Sequence, residues 1–207
     1  MKNNLIKTFD FLNTVGNLKK TIRYKSAHRM PKESVADHTW RLTLMSFVIA
    51  DELGLKIDVT KAMEIALIHD LAEAITDDID ALLIYNNKFS SEKKQKMENE
   101  AMKKLKSILP TKTGNKIIKL WREYDNQSSI EARYIYALDK MEALTYLSET
   151  GYKSYGGNNH TDLIATYADK AVADFVELKP ALKILKSKIK KEYKKGKIEW
   201  KKEYDKI

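Results

Sequence analysis

Apolar residues recur along most of this chain at steps of three and four, the spacing that places them on one face of an α-helix. No stretch of comparable length alternates apolar and polar residues at the two-residue period of a β-strand. The pattern therefore predicts an all-α protein of about eight helices, at residues 4–16, 35–53, 59–75, 91–109, 115–125, 129–148, 161–176 and 179–194.

Residues that prefer helix termini mark several of these boundaries. Ser34 precedes Asp37 by three positions and Ser128 precedes Glu131 by three, which is the spacing of a capping box. The clearest loop is 151–160, GYKSYGGNNH. Because there is neither an internal repeat nor a linker, we expect one domain over all 207 residues.

Composition narrows the class of protein. The chain has 43% hydrophobic and 32% charged residues, no cysteine, and no apolar run near the ~20 residues that a membrane-spanning helix needs. The first stretch, MKNNLIKTFDFLN, lacks the continuous apolar core of a secretory signal peptide. We therefore expect a cytoplasmic protein that uses neither disulfides nor thiolate catalysis.

The net charge of +9 is concentrated near the C-terminus. Residues 183–207 contain eleven lysines against four acidic residues and so carry +7 of that charge. Such a segment can touch a polyanion, but it has no arginine for bidentate phosphate contacts. A Lys-rich helix or tail with a solvated face explains the same pattern, and we favour it over a nucleic-acid partner.

Four residues able to bind a metal lie in apolar helical segments. His69 and Asp70 are adjacent in IALIHDLAEAI, His38 lies near the start of an earlier helix, and Asp139 lies in YIYALDKMEAL. A buried imidazole or carboxylate is costly unless it is paired or bound to a metal. These nitrogen and oxygen donors suit Mn, Fe, Co, Ni or Zn, and the absence of sulfur argues against a structural zinc. Ordinary explanations also exist, a satisfied core histidine or an Asp139 paired with a basic neighbour such as Lys140, so spacing alone leaves both interpretations open.

The order His38, His69-Asp70, Asp139 resembles the HD-domain metal-dependent phosphohydrolases, an all-helical superfamily named after the adjacent pair. Four segments resemble its 5′-deoxynucleotidase branch, which removes phosphate from deoxyribonucleoside monophosphates: ESVADHTWRL, ALIHDLAEAITDDI, SEKKQKMENEAMKKL and LWREYDNQSSIEARYIYALDKMEAL. They span residues 33–145 in the family's order. The resemblance implies a single HD domain that binds one divalent metal ion, acts on a small nucleotide and forms a homodimer.

The resemblance also implies which residues bind the metal and assist the reaction. The metal ligands would be His38, His69, Asp70 and Asp139. Glu73 stands where the family has a catalytic glutamate. Glu73 also lies one helical turn from His69, within reach of a metal-bound water.

Further residues are implied to contact the substrate. Asp78 matches the family's second acidic residue, which faces the sugar and the reacting phosphate, and either Glu73 or Asp78 could return a proton to the 5′ oxygen. Arg23 and Tyr24 fall where the family has an arginine and an aromatic residue, placed to orient the phosphate and to crowd the ribose 2′ position. The chain departs from the family pattern with Tyr24 for Trp, with Asp77 where Gly is usual, and with Asp80 where Pro is frequent. These departures leave open how strictly a 2′-hydroxyl is excluded.

The remaining candidates are assigned no chemistry. His28 and His160 lie in loop-like stretches, so we expect no well-ligated second metal. Trp121 and Tyr124 are expected to pack a helix pair. Two alternative functions remain at this point. One is an HD-domain phosphohydrolase acting on a triphosphate, a ribonucleotide or another phosphomonoester, and the other is a non-enzymatic helical module that binds nucleic acid through its Lys-rich tail.

Overall fold

The computed structural model describes residues 2–25, 30–155 and 160–207, and their regular structure is helical. The α-helices are α1 (Lys2–Val15), α2 (Val35–Glu52), α3 (Val59–Ile68), α4 (Glu73–Thr76), α5 (Ala81–Tyr85), α6 (Ser91–Ile108), α7 (Thr111–Asp125), α8 (Ile130–Thr150), α9 (Thr161–Thr166), α10 (Asp169–Ala173) and α11 (Lys179–Lys195). Short 3₁₀ turns occupy Gly16–Lys19, Tyr152–Ser154, Val176–Leu178 and Lys202–Asp205.

The predicted all-α class is confirmed. Within the three described ranges there is no β-strand, only an isolated antiparallel bridge between Ile22 and Ser34. No helix in those ranges is both long and apolar enough to cross a bilayer. His28, and residues 156–159 of the predicted loop, lie outside the described residues.

Helix α8 is the centre of the fold. It contacts α2, α3, α7 and α11, and thirteen of its residues are buried. A helix that is apolar on all sides is typical of a protein interior. Asp139 and Glu142 interrupt the apolar surface of α8, and both contact His38 of α2. The polar centre of the molecule is therefore built into its most buried helix.

Two hydrophobic clusters hold the helices together. Members of the larger cluster, which joins α8 to α2, α3 and α11, include Leu42, Ile65, Leu138 and Leu182. Members of the smaller one, which joins α1, α6 and α7, include Phe11, Met102, Leu105 and Trp121. Burying one such side chain contributes about 1.5–3 kcal/mol. Ile68 packs against both clusters, so the His-Asp doublet that follows it lies where they meet.

The helix predicted over 59–75 is not continuous. α3 ends at Ile68 and α4 begins at Glu73. Between them the Leu71 N–H donates to the Ile68 carbonyl at 3.1 Å, and the Glu73 N–H donates to the Asp70 carbonyl at 3.0 Å. Bonds to the carbonyl three residues back tighten the chain toward three residues per turn. The directions of the doublet's side chains therefore differ from those on an ideal α-helix.

Short helices depart most from the predictions. The single helix predicted over 161–176 is divided into α9 and α10. Helix α5 was not predicted, because five residues are too few to show a periodicity. One cap also differs, since α8 is capped by Ser129, which accepts from the Ala132 N–H, and not by Ser128. The capping box of Ser34 is present as predicted.

The Lys-rich C-terminal segment is more than a solvated helix. Most of its lysines are exposed, as expected, but Lys186 is buried. The Lys186 ammonium lies 2.7 Å from the carboxylate of Asp169 in α10. It also donates to the carbonyl oxygens of Tyr204 at 2.6 Å and Lys206 at 3.1 Å. The expectation of a fully solvated lysine set is therefore wrong at Lys186, whose three donors attach residues after α11 to the body of the fold.

Candidate metal centre and cavity

Three separate parts of the fold bring the predicted metal ligands together. His38 comes from α2, His69 and Asp70 from the turn after α3, and Asp139 from α8. His38 Nε2 lies 3.4 Å from His69 Nε2 and 3.3 Å from Asp139 Oδ1. These three residues each offer a ligand atom within 4.8 Å of the others. Asp70 lies at the edge of this group, with Oδ2 3.0 Å from His69 Nε2 and 3.8 Å from His38 Nε2.

Both histidines present Nε2 to this cluster because Nδ1 is already engaged. Nδ1 of His69 donates to the Ala66 carbonyl at 2.8 Å, and Nδ1 of His38 contacts the Glu142 carboxylate. When both rings are neutral and carry their protons on Nδ1, both Nε2 atoms have lone pairs that face each other beside carboxylate oxygens. Such a set of donors is self-repelling unless a proton or a metal cation lies among them. The residues therefore fit a divalent metal ion, and histidines held through Nδ1 in this way are usual at metal sites.

The charges of these residues also favour a bound cation. Burial disfavours the imidazolium of His38, but hydrogen bonds to carboxylates, Asp139 among them, outweigh burial and raise the pKa of His38 to about 9. Burial also disfavours the carboxylate of Asp70, yet His69 holds the pKa of Asp70 below its usual range. Asp139 is likewise buried, and Lys140 keeps the pKa of Asp139 well below its usual range. The carboxylates thus remain ionised and attract positive charge into the cluster.

Two acids predicted to act on the substrate lie beside the cluster. Glu73 is buried, and its Oε2 has no hydrogen-bond partner within the described ranges. Burial and the charges of Asp70 and Asp78 raise the pKa of Glu73. Burial also raises the pKa of Asp78 to about 6, against the opposing charge of Arg23. Carboxyl groups with raised pKa values in a cavity are typical of sites that transfer protons.

Arg23 and Tyr24 line the same cavity as these acids. The Nη1 atom of Arg23 lies 2.8 Å from Glu33 Oε2 and 3.3 Å from Glu142 Oε2. A guanidinium has five N–H donors, so a phosphate can bind Arg23 while these two carboxylates hold Nη1. The ring of Tyr24 stacks on Tyr146 with centroids 5.6 Å apart, and its buried hydroxyl has no hydrogen-bond partner in the part of the chain that the structure describes.

The predicted site residues share one cavity of about 220 Å³, with the exception of His38, which is fully buried behind it. Besides His69, the ionisable residues that line the cavity are seven carboxylates and three basic side chains. The carboxylates are Asp70, Glu73, Asp78, Asp80, Glu98, Asp125 and Asp139, and the basic residues are Arg23, Lys94 and Lys140. Five aromatic rings also line it: Tyr24, Trp121, Tyr124, Tyr136 and Tyr167. The cavity is strongly acidic before any metal binds.

Several of these residues were missed in the sequence or interpreted too narrowly. Lys94 of α6 lies 3.6 Å from Glu73 Oε1 and 3.3 Å from Glu98 Oε1. The four-residue spacing of Lys94 and Glu98 was visible, but it is common on solvated helices. Tyr124, expected only to pack helices, also donates its hydroxyl to Asp139 Oδ2 at 3.1 Å.

Asp77, where the family pattern has Gly, adopts a backbone conformation that favours glycine. Its φ is 65° and its ψ is 164°, a region that the Cβ atom makes costly for other residues. The Asp77 carboxylate pairs with Lys25 and accepts from the Asp78 N–H at 3.1 Å. The departure from the family pattern therefore strains the backbone directly before Asp78.

Comparison with known proteins gives matches over most of the chain. A family model described as "HD domain" matches residues 15–178. The human 5′-deoxynucleotidase HDDC2 is 36% identical over 143 residues, which are 67% of this chain and 66% of that protein. The 5′-deoxynucleotidase YBR242W of Saccharomyces cerevisiae is 31% identical over 164 residues, which are 76% of this chain and 66% of that protein. The chain thus spans just under two thirds of the length of these two relatives.

The fold is also similar to a solved structure. A predicted metal-dependent phosphohydrolase from Magnetospirillum magnetotacticum matches with a TM-score of 0.73 and 20% identity, covering 95% of this chain and 96% of that one. At this identity the likeness concerns the helical fold, and it extends over nearly the whole of both chains.

Proposed function

Because the chain belongs to the HD domain family, we propose that it is a metal-dependent 5′-deoxynucleotidase, which hydrolyses deoxyribonucleoside 5′-monophosphates to deoxynucleoside and phosphate. The observation that carries the proposal is the convergence of His38, His69 and Asp139 within 4.8 Å, at a cavity that also holds Glu73 and Arg23. The two curated relatives described above, both named 5′-deoxynucleotidases, support the choice of reaction.

We propose that His38, His69, Asp70 and Asp139 hold one divalent cation. Two imidazole nitrogens and two carboxylates would hold the ion and would leave room beside it for water and a phosphate oxygen. Mn, Co, Fe, Ni and Zn all accept such ligands, so the donor set does not choose among them. The position of Asp70 supports its place in the set, because Oδ2 is 3.0 Å from His69 Nε2.

The side chains around the cation bind the phosphate and transfer the protons. A bound divalent ion lowers the pKa of water and withdraws charge from phosphoryl oxygens. Arg23 binds the other phosphate oxygens and orients the phosphorus. Glu73 takes a proton from the attacking water as its oxygen bonds to phosphorus, and Asp78 gives a proton to the 5′ oxygen as the P–O bond breaks. The raised pKa of Asp78, about 6, supports this role because a fraction of Asp78 is then protonated near neutral pH.

The charge of the cavity favours a monophosphate over a triphosphate. Seven carboxyl groups face three basic side chains, so the basic side chains and one divalent cation leave no excess of positive charge in the wall. A triphosphate would bring about four further negative charges into this space, and like charges repel strongly in a partly buried site. A single phosphate brings two negative charges at most, and it would contact Arg23 and the cation directly.

Discrimination between deoxyribose and ribose is assigned to Tyr24. Its ring is fixed by the stack on Tyr146, whose hydroxyl donates to the Pro31 carbonyl at 2.8 Å. A fixed ring excludes a sugar substituent more effectively than a mobile one. The Tyr24 hydroxyl is itself polar, so we expect a preference for deoxyribose that is weaker than an all-carbon wall would give.

We further propose that the protein forms a homodimer through an apolar face of α1, α2 and α3. Large apolar side chains 47–67% exposed lie on this face: Leu5, Phe9, Leu12, Trp40, Leu44, Phe47 and Leu67. A groove of about 650 Å³ is lined by five of them: Leu12, Trp40, Leu44, Phe47 and Leu67. Seven half-exposed side chains of this size present roughly 600–700 Å², which exceeds the usual patch of a monomer and approaches the ~800 Å² that each partner contributes to a stable interface.

Light scattering on size-separated protein tests the dimer. Trp40→Glu should give monomers because a charge would be buried at the centre of the face. Ile184→Glu is the matched control: Ile184 is 62% exposed on α11, outside this face, and its replacement should leave the dimer intact. A monomeric wild-type protein at micromolar concentration would contradict the proposal.

Phosphate release tests the reaction itself. The metal-stripped protein is loaded with Mn²⁺, Co²⁺ or Zn²⁺ and assayed on deoxy- and ribonucleoside 5′-monophosphates, 3′-monophosphates and deoxynucleoside triphosphates. We expect turnover of the 5′-deoxymonophosphates with at least one metal. Preference for triphosphates or ribonucleotides would instead select another phosphohydrolase activity. No release with any metal, together with salt-sensitive RNA binding, would select the nucleic-acid-binding alternative.

A further inference from the structure

A fully buried glutamate lies behind the candidate metal centre and belongs to neither the predicted ligands nor the predicted substrate contacts. Glu142 follows Asp139 by three positions on α8, and its side chain is 0% exposed. Its two oxygens have different partners. Oε2 contacts Nδ1 of His38 and lies 3.3 Å from Nη1 of Arg23. Oε1 accepts from Nε of Arg41 at 2.7 Å and lies 2.6 Å from Arg41 Nη2.

The arrangement fixes the orientation of the carboxylate. The side-by-side N–H groups of Arg41 engage Oε1 in a geometry that a guanidinium holds rigidly. Arg41 is itself held from the far side, where Nη1 lies 2.6 Å from Glu149 Oε2. With Oε1 held in this way, Oε2 lies between His38 and Arg23. The single atom Oε2 thus touches a residue of the metal cluster and the residue proposed to bind phosphate.

From these contacts we propose that Glu142 is a positioning residue that aligns the metal ligand His38 and the phosphate-binding Arg23 at the same time. The proposal rests on the function proposed above for these two residues. By accepting from Nδ1, Glu142 keeps the His38 proton on that nitrogen and leaves the Nε2 lone pair for the cation. By attracting Nη1, the same oxygen holds the guanidinium beside the cluster.

The variant Glu142→Gln removes this alignment with little change of shape. A carboxylate offers acceptors on both sides, whereas an amide has one oxygen and one NH₂ group. One side of the replaced group must therefore face N–H donors with a donor of its own. We expect Mn²⁺ affinity to fall about 10- to 100-fold, as is usual when the partner of a metal-binding histidine is lost. The KM for a deoxymonophosphate should also rise about tenfold.

Glu33→Gln is the matched control, because Glu33 is a buried carboxylate that shares only one of the two contacts. Its Oε2 lies 2.8 Å from Arg23 Nη1 and its Oε1 lies 3.4 Å from Arg41 Nη2. Among the described residues Glu33 forms no hydrogen bond or ion pair with His38, although their charges interact. We therefore expect this variant to raise KM while Mn²⁺ affinity stays within about twofold of the wild-type value.

Arg41→Lys keeps the inference testable if Glu142→Gln does not fold. Arg41 is outside the cavity lining, so its replacement acts on the metal only through the carboxylates that it holds. A lysine keeps the positive charge but cannot engage Oε1 through two donors. We expect Mn²⁺ affinity to fall about three- to tenfold.

Isothermal titration with Mn²⁺ alone, then with inorganic phosphate on the Mn²⁺-loaded protein, measures both effects without any turnover. Circular dichroism establishes that each variant is folded. Wild-type Mn²⁺ affinity in folded Glu142→Gln, or an equal loss of Mn²⁺ affinity in Glu33→Gln, would overturn the positioning role. If wild type binds Mn²⁺ and the variants behave as expected but no nucleotide is hydrolysed, the deoxynucleotidase proposal fails while the role of Glu142 toward the metal stands.

Discussion

Replacing Glu73 by Gln should lower activity and raise stability. The substitution keeps the size of the side chain and removes its negative charge. Glu73 is buried, its Oε2 has no hydrogen-bond partner among the described residues, and its Oε1 lies 3.6 Å from Lys94 Nζ. The carboxylate is thus poorly stabilised where it lies, which is expected of a group kept for proton transfer.

The loss of activity follows from the loss of the base. A positioned general base contributes about 10²- to 10⁴-fold to the rate, or about 3–5 kcal/mol of barrier. The metal cluster and Arg23 are left intact by Glu73→Gln, so we expect kcat to fall about 10²- to 10³-fold and Mn²⁺ affinity to stay within a few-fold. Because the base must be ionised and burial raises its pKa, wild-type kcat/KM should rise with pH through that raised pKa. The variant should lack this rise.

The gain in stability follows from the same raised pKa. The pKa of Glu73 is about 4.5 in the unfolded chain and higher in the folded protein. At pH values between these two, the folded protein binds more protons than the unfolded chain. Its free energy of unfolding therefore falls as pH rises through that window, and the loss persists above it. A tenfold difference in proton affinity between the folded and unfolded states corresponds to about 1.4 kcal/mol, and each kcal/mol to about 2–4 °C in Tm for a protein of this size. Glu73→Gln should thus raise the Tm of metal-free protein at pH 7 by several degrees.

Steady-state kinetics from pH 5 to 9 and thermal unfolding of chelator-treated protein measure the two effects. Asp51→Asn, an exposed acid on α2, is the control for removing one negative charge and should change neither quantity appreciably. Unchanged kcat in Glu73→Gln would mean that Glu73 is not the base. A lower Tm would mean that its carboxylate is stabilised in the fold, which contradicts the reasoning from burial.

Three further substitutions test other parts of the structure. Asp70→Ala should reduce Mn²⁺ affinity at least 100-fold in calorimetry and abolish turnover with it, and retained turnover would remove Asp70 from the ligand set. Asp77→Gly should raise the free energy of urea unfolding by about 1 kcal/mol, since relief of about 1–3 kcal/mol of strain outweighs the entropy of glycine and the exposed pair with Lys25. Destabilisation would show that Asp77 is not strained. Lys186→Met should lower the free energy of unfolding by about 2–4 kcal/mol, which thermal unfolding shows as a lower Tm. Lys190→Met removes only an exposed ion pair and should lower the free energy of unfolding by less than about 1 kcal/mol.

The sequence was a good guide where side-chain type and helical spacing decide the outcome. The two histidines and Asp139 are costly inside a helical core, and the resemblance to one family supplied their partners. Three of the four predicted ligands converge within 4.8 Å, and Asp70 lies beside them. The ligand roles of all four, and the roles of Glu73 and Asp78, stay predictions until a metal is bound.

The sequence was a poor guide where distant contacts decide. Apolar residues continue past Ile68 at helical spacing, through Leu71 and Ala74, so nothing in the pattern shows that α3 ends at the doublet. Glu142 resembles an ordinary acid on a helix, and its burial depends on the approach of α2. Lys186 is one of eleven lysines in residues 183–207, and only its contacts with other segments distinguish it.

The position of Trp121 makes the candidate site visible to fluorescence. The chain has three tryptophans, and Trp121 is the one that lines the cavity, at 3% exposed, while Trp40 is 67% exposed and Trp200 lies near the C-terminus. With Trp40 and Trp200 replaced by Phe, the remaining emission comes from a single indole in the wall of the cavity. Paramagnetic Mn²⁺ or Co²⁺ entering the cluster should quench that emission and diamagnetic Zn²⁺ should not. Metal occupancy can then be followed in real time, without a substrate and before the reaction is known.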